Sequence, residues 1–157
     1  MNPICYLIGD VTNPLEVKGR KILCHIVNDI GKMGAGVALS IKNKWPVVYI
    51  KYREWYRKPD FKLGEVQLVK VGKGIVVANM IGQRSIGIKD GISPIRYEAV
   101  DSCLKKVSET AKKYEASIAM PRICCGLAGG QWDKVEPLIV KNLCEHDIPV
   151  YVYDLGV

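Results

Sequence analysis

Residues 24–45 read CHIVNDIGKMGAGVALSIKNKW, Cys24 to Trp45, and this stretch decides the fold. With Ile22 and Leu23 before it, the run Cys24, Ile26, Val27 leaves only His25 polar, the pattern of a buried strand. The run breaks at Asn28-Asp29 and turns through Gly31, Gly34 and Gly36. Val37, Ala38, Ile41 and Trp45 then recur at helical spacing. Strand, glycine turn and helix start in that order have two readings. One is a tight connection. The other is a cradle, because glycines let backbone approach a ligand and a helix N-terminus offers unpaired N–H groups to an anion. Three glycines within six residues exceed what a turn needs, and a second glycine-rich turn follows at 126–130.

Length and composition bound the possibilities. A chain of 157 residues has the size of one domain with its own core, so residues 1–157 are expected to form a single unit. No apolar run approaches the ~18 residues of a membrane span, and the N-terminus lacks the basic and apolar regions of a signal peptide. A cytoplasmic protein without a membrane partner is expected. The six cysteines show no C-x-x-C spacing and there are only two histidines, His25 and His146, so buried free thiols are expected rather than a metal site. The net charge of +7 admits nucleic acid as a partner, but the lysines are scattered rather than gathered into one basic segment. Solvated helix faces and small anions are therefore favoured over nucleic acid. The oligomeric state is not legible.

Outward from the organising stretch, residues 3–9 read as a first strand ending at Gly9-Asp10. Asp10 can accept a hydrogen bond from a ligand amine or cap its own turn. Pro46 opens a helix carrying Val48, Tyr52, Trp55 and Tyr56 on one stripe. Residues 65–71 and 74–81 form two β-rich runs joined by Gly72-Lys73-Gly74, a hairpin signature. Residues 82–93, rich in glycine and without periodicity, are expected as a mobile loop in the position of a lid. Ser93-Pro94 reads as a helix start, with Val100, Leu104, Val107, Ala111 and Tyr114 as its apolar stripe. A buried strand at 116–123 leads into CCGLAGGQW, and a helix follows with Trp132, Val135, Ile139 and Leu143 inward and Asp133 and Glu136 in its first turn. Residues 149–155 close the chain as a strand.

This alternation predicts an α/β protein, a three-layer α/β/α fold with a mixed, largely parallel sheet of about six strands and an antiparallel hairpin. Ligands of such sheets collect beyond the carboxyl ends of the strands, where both glycine turns, Asp10 and the 82–93 loop all fall. Two glycine turns, each leading into a helix, suit a diphosphate better than a monophosphate. No G-x-x-x-x-G-K-[ST] is present, and GKMGAG lacks the third glycine of the dinucleotide fingerprint.

GD at 9–10, HIVND-x-G-x-MGAGVA at 25–38, GEV at 64–66, MPRICCGLAGGQW at 120–132 and VYDL at 152–155 together resemble the macro domain family of ADP-ribose-binding proteins. The resemblance covers nearly the whole chain. It is greatest to the compact branch of ADP-ribose-1''-phosphate phosphatases and of macro domains that release terminal ADP-ribose from protein glutamate. It implies that Asp10 takes the adenine amino group, with Val11 beside it, and that Asn28 contacts the distal ribose. Gly34, Ala35, Gly36 and Val37 would form the first phosphate loop. Gly126, Leu127, Ala128, Gly129 and Gly130 would form the second, with Ile123 leading into it. Tyr153 would wall the adenine, although an aromatic there is otherwise read as core. Asn28, His25 and Asp29 are the candidate catalytic residues, and His25 reads equally as a hydrogen-bonded strand histidine. No cofactor and no metal are implied.

The chain departs from that branch at two places. A lysine expected just after the strand at 75–81 is replaced by Gly82-Gln83, and an aspartate of the second loop by Ala128. Lys89 and Asp133 are the nearest substitutes and neither matches, so a lysyl-adduct mechanism is unsupported. The function implied is binding of ADP-ribose or a derivative through two phosphate loops, with hydrolysis of ADP-ribose-1''-phosphate or of an ADP-ribosyl adduct as the associated activity. Three alternatives stand beside it: a non-catalytic reader of ADP-ribosylated partners, a protein binding nucleic acid or poly-ADP-ribose, and a nucleophilic Cys124 or Cys125 with His25 as base.

Overall fold

The computed structural model describes residues 2–155. Along the chain the elements are β1 (Cys5–Ile8), β2 (Lys21–Asn28), α1 (Gly36–Lys44), α2 (Pro46–Trp55), β3 (Val66–Gly72), β4 (Ile75–Gln83), α3 (Tyr97–Tyr114), β5 (Ser117–Pro121), α4 (Trp132–Asn142), a short 3-10 turn (Cys144–His146) and β6 (Val150–Asp154). One six-stranded sheet has the order β1-β6-β5-β2-β4-β3. All neighbours run parallel except the β3–β4 hairpin. The mixed, largely parallel sheet expected from the sequence is therefore what forms. Among the described residues no helix is long and apolar enough to cross a membrane.

Both faces of the sheet are covered, and the period of two sorts the side chains between them. Ile22 and Cys24 of β2, Ala78 and Met80 of β4, and Ile118 and Met120 of β5 pack with Val100, Leu104 and Val107 of α3 and Val135 and Ile139 of α4. Leu23 and Val27 of β2, with Val77 and Ile81 of β4, pack on the opposite face with Ile41 of α1 and Val48, Tyr52 and Trp55 of α2. His25 shares that second face by alternation, under α1 and α2. The five parallel strands end on one rim, which is where the turns after β2, β4 and β5 meet.

Four expectations are corrected. The helix expected at Ser93-Pro94 begins only at Tyr97, with Arg96 in the N-cap position and no side-chain cap. The intervening residues are held extended against the end of β4: Arg84 N–H donates to Pro94 O, Arg96 N–H donates to Gly82 O, and Ile95 bridges Gln83. Tertiary pairing overrides the local start signal there. Glu136 lies beyond the first turn of α4, in which Asp133 is the acidic residue; Glu136 instead accepts the hydroxyl of Tyr6. Cysteine burial is incomplete: all six thiols are free, but Cys5 is exposed and Cys125 half-buried. The stripes also end early. Tyr56 falls past the end of α2 and packs on Phe61, and Tyr114 is exposed.

A register shift separates Val27, opposite Ile81, from Asn28, opposite Gln83, so Gly82 bulges from β4. A Cβ at Gly82 would lie 2.9 Å from Val100 Cγ2 and 3.1 Å from Ile26 Cδ1. Gly82 is thus a packing requirement of the bulge that aims Gln83 at the rim.

Candidate functional site

A cavity of about 600 Å³ opens at this rim. Its lining comes from the end of β2 (His25 to Asn28), the first glycine turn and the start of α1 (Lys32 to Ala38), Gln83, Ile86 and Gly87 after β4, and Pro121 to Cys124 and Gly126 to Ala128 after β5. A void of this size suits a ligand with several ring systems or phosphates. No aspartate or glutamate lines it; the charged residues there are Lys32 and Arg122.

The first glycine turn is shaped by Asn28. Its side-chain carbonyl accepts the N–H groups of Ile30 and Lys32, at 3.1 and 3.2 Å, and its amide donates to Lys32 O at 2.9 Å. Beneath it the buried Tyr52 hydroxyl reaches both Asn28 O and Asn28 Oδ1, at 2.6 and 2.9 Å. Burial pushes the Tyr52 phenol up, so it stays a neutral donor. Past this turn the chain rises through Gly34 and Gly36, and a Cβ at either would meet nothing within 4 Å. Gly36 also has φ +61, a conformation that favours glycine. The first-turn N–H groups of α1 lack intrahelical partners; no side chain caps them and no acid sits among them. Gly36, Val37 and Ala38 of this turn line the cavity, so a ligand or solvent there can satisfy those groups.

The second turn combines two kinds of glycine. Gly126 is open, whereas a Cβ at Gly130 would lie 2.5 Å from Cys124 O and one at Gly129 2.7 Å from Ile88 Cδ1. Gly129 and Gly130 let the turn close on itself and on the 84–93 loop, and Gly126, Leu127 and Ala128 form the wall. Ser93 Oγ donates to Ala128 O at 2.6 Å, tying that loop to the second turn. Ser85 N–H donates to Asp29 Oδ1 at 2.7 Å, tying it to the first. Ile86 and Gly87 reach the cavity between these ties, in the position expected of a lid.

Residues 24–139 match the family model for the macro domain. The chain belongs to the macro domain family. A solved protein of unknown function from Bacteroides thetaiotaomicron shares 46% identity and superposes with a TM-score of 0.94, covering 98% of each chain. Mus musculus chromodomain-helicase-DNA-binding protein 1-like is 31% identical over 96% of this chain, which spans only 17% of that protein's length. Homo sapiens ADP-ribose glycohydrolase OARD1 is 29% identical over 85% of this chain and 81% of its own.

Within this macro domain, Gly34, Ala35, Gly36, Val37, Ile123, Gly126, Leu127 and Ala128 all line the one cavity with Asn28 and His25. Gly129 and Gly130 stand behind the wall. Asp29 serves the loop tie rather than the cavity surface. Asp10, Val11 and Tyr153 lie at the β1–β6 side, outside the lining. Asp10 accepts the Thr12 N–H and hydroxyl at 2.9 and 2.7 Å, and these bonds hold its carboxyl below the usual range. Val11 and the Tyr153 ring are buried, with the Tyr153 hydroxyl donating to Glu16 at 2.7 Å.

His25 is 2% exposed, and desolvation pushes its pKa down to about 4. Its Nε2 lies 2.5 Å from Asn79 Oδ1. A neutral ring already engaged at Nε2 is a weak base, and burial pushes the Cys124 and Cys125 thiols up. The thiolate that a cysteine mechanism needs is disfavoured. Sequence reasoning missed Lys32, Met33, Arg122 and Ile86 as lining residues, and read Tyr52 only as core. Arg122 had a signal, standing beside the second turn in the MPRICCGL run. It is clamped by Asp154, Nε to Oδ1 at 2.7 Å, with its guanidinium 4.9 Å from the Tyr6 ring and 5.1 Å from the Trp132 ring. Among the described residues no group of three or more His, Cys, Asp or Glu comes together to hold a metal ion.

Proposed function

We propose that this macro domain recognises ADP-ribose, free or as the terminal part of a modified substrate, with the diphosphate held between the two glycine turns. The observation that carries the reading is the convergence of both turns and the N-terminus of α1 on one cavity whose lining holds Lys32 and Arg122 and no carboxylate. Oriented N–H groups and the helix dipole favour negative charge, and nothing in the lining repels it. Asp10, exposed at the neighbouring edge of the same rim, would receive the adenine amino group, with the buried Tyr153 ring supporting that edge from the core. Calorimetry should give a micromolar dissociation constant for ADP-ribose, about −8 kcal/mol, and much weaker binding of AMP. No heat with ADP-ribose at millimolar concentration would remove the proposal.

A second reading, hydrolysis of an ADP-ribosyl bond or of ADP-ribose-1''-phosphate, is favoured by the likeness to a relative named as an ADP-ribose glycohydrolase. On this reading the chain's own residues bind and orient rather than exchange protons, because the lining offers no carboxylate and His25 is a weak base. Incubation with ADP-ribose-1''-phosphate, O-acetyl-ADP-ribose and ADP-ribosylated protein, followed by mass spectrometry, separates reader from enzyme. Reductive trapping in the same mixtures should give no conjugate on a lysine, since Gly82-Gln83 stands where a lysine would act.

A further inference from the structure

Cations that are scattered along the sequence meet on the rim opposite the cavity, where the parallel strands begin. Lys21 opens β2 between Ile75 of β4 and Ser117 of β5, and its N–H donates to Gly74 O at 2.9 Å. Lys73 stands beside it in the turn of the β3–β4 hairpin, and Lys70 of β3 pairs with Val76 just above. The helix α3 starts near the cavity rim and ends at this opposite rim with Lys112, Lys113 and Tyr114. Arg20 closes the group. Its O accepts the Ser117 N–H at 2.9 Å, and its Nη1 donates to Tyr114 O at 3.2 Å. Lys21 is half-buried and the other five cations are exposed. None of them meets a carboxylate within 4.0 Å among the described residues. Glu109, one turn before Lys113, and Glu115, the C-cap of α3, are the acids beside them in the chain.

Cations suit the last turn of a helix, which accounts for Lys112 and Lys113. It does not account for Arg20, Lys21, Lys70 and Lys73, which come from the start of a strand and from a hairpin. Like charges gathered in this way repel one another and attract a polyanion. The group also holds an aromatic ring. Tyr114 is 49% exposed, and Lys113 Nζ lies 5.4 Å from its ring centre. Cations beside an exposed ring supply the two things a single strand offers to bind, phosphates and unpaired base faces. A membrane surface is met instead by one helix with an apolar face, whereas these charges come from three separate elements. We propose that this rim binds single-stranded nucleic acid, with the cations on successive phosphates and Tyr114 against a base. The proposal goes beyond ADP-ribose recognition and does not depend on it, since no residue of the group lines the cavity.

Fluorescence anisotropy of a labelled oligouridylate or oligothymidylate, titrated with protein across a salt series with and without ADP-ribose, tests the proposal. Binding should weaken as salt rises, the logarithm of the association constant falling by about 0.7 per phosphate contact for each tenfold in salt. Lys73→Ala/Lys113→Ala should reduce that slope by about 1.4 and lower affinity severalfold. Tyr114→Ala should lower affinity by about fivefold or more and leave the slope unchanged, while Tyr114→Phe keeps the ring and the affinity. Lys58→Ala/Lys62→Ala removes the same charge at the far end of β3 and should leave both quantities near wild type. Three results overturn the proposal: no anisotropy change at low salt, equal losses in the control pair, or displacement of the oligomer by ADP-ribose. Tyr114→Ala without effect would overturn it by reducing the rim to a general polyanion surface. Capture of phosphatidylserine vesicles in place of the oligomer would overturn it in favour of a membrane. Calorimetry with ADP-ribose on the same variants should match wild type, so that failure of either proposal is read independently. Tm measured on each preparation confirms that the variants compared are folded.

Discussion

Asp29 and Ser85, 56 positions apart in the chain, meet at 2.7 Å through the Ser85 N–H and the Asp29 carboxylate, and so lock the end of β2 to the loop that follows β4. Ser85 has φ +60, an unfavourable conformation for a residue with a side chain, and the bond to Asp29 helps to hold it there. Asp29→Ala should free the loop at this end. We expect a stability loss of about 1 kcal/mol, discounted for the partial exposure of the pair, and a severalfold loss of ADP-ribose affinity. Asp29→Asn, which keeps an acceptor, should retain most of both. Hydrogen exchange at Ser85, with calorimetry, checks the loop tie; an unchanged exchange rate in Asp29→Ala would disprove it.

Gly36→Glu should abolish ADP-ribose binding. A Cβ there meets nothing within 4 Å, so the carboxylate enters the space assigned to phosphate instead of clashing with protein. The substitution also places a side chain at φ +61, which costs about 1–2 kcal/mol whatever its charge. Gly36→Ala separates the two effects, because it carries the strain without the charge. It should melt as low as Gly36→Glu and still bind. Wild-type affinity in folded Gly36→Glu would mean that the first turn is not the phosphate site.

Tyr52→Phe removes a hydroxyl that serves Asn28 O and Asn28 Oδ1 together. The backbone carbonyl and the side-chain carbonyl would lose a buried donor, at about 1–3 kcal/mol. Because Asn28 shapes the turn from 28 to 32, affinity should fall as well, despite the absence of Tyr52 from the cavity lining. Urea denaturation and calorimetry on the purified variant measure the two effects. A variant with unchanged stability would show that the turn holds itself.

Acid should destabilise the domain in two stages. His25 has its folded pKa lowered to about 4 from an ordinary value of 6.5, so the unfolded chain binds more protons between those values. Its contribution is fully present above pH 6.5 and is lost as pH falls toward about 4, with a slope of up to ~1.4 kcal/mol per pH unit. Asp10, Asp101 and Asp154 are also lowered, and their contributions are lost only below the ordinary carboxylate value of 3.8. Urea titrations between pH 7 and 4.5 should therefore show a steady decline that the His25→Leu/Asn79→Leu variant flattens. An equal slope in both proteins would assign the decline to other groups.

The sequence by itself determined the alternation of strands and helices, the two glycine turns and the hairpin at β3–β4. Each of these is encoded locally. Ile22 and Cys24 against Leu23 and Val27 is a period of two read along a single strand, and Gly34 and Gly36 are visible wherever they fold. The parallel rim followed from the same alternation, because strands joined through helices end on one side.

Register and distant pairing were decided only in three dimensions. His25 faces Asn79 and Gln67 because β2, β4 and β3 align in one register, which nothing in any single strand specifies. Ser93-Pro94 carries a local helix-start signal, yet the bonds of Arg84 and Arg96 to Pro94 and Gly82 keep that segment extended until Tyr97. Composition alone cannot distinguish the open Gly36 and Gly126 from Gly130, whose missing side chain makes room for Cys124. Local propensity selects the elements, but the packing of elements far apart in sequence decides which polar atoms are satisfied and which are left facing the cavity.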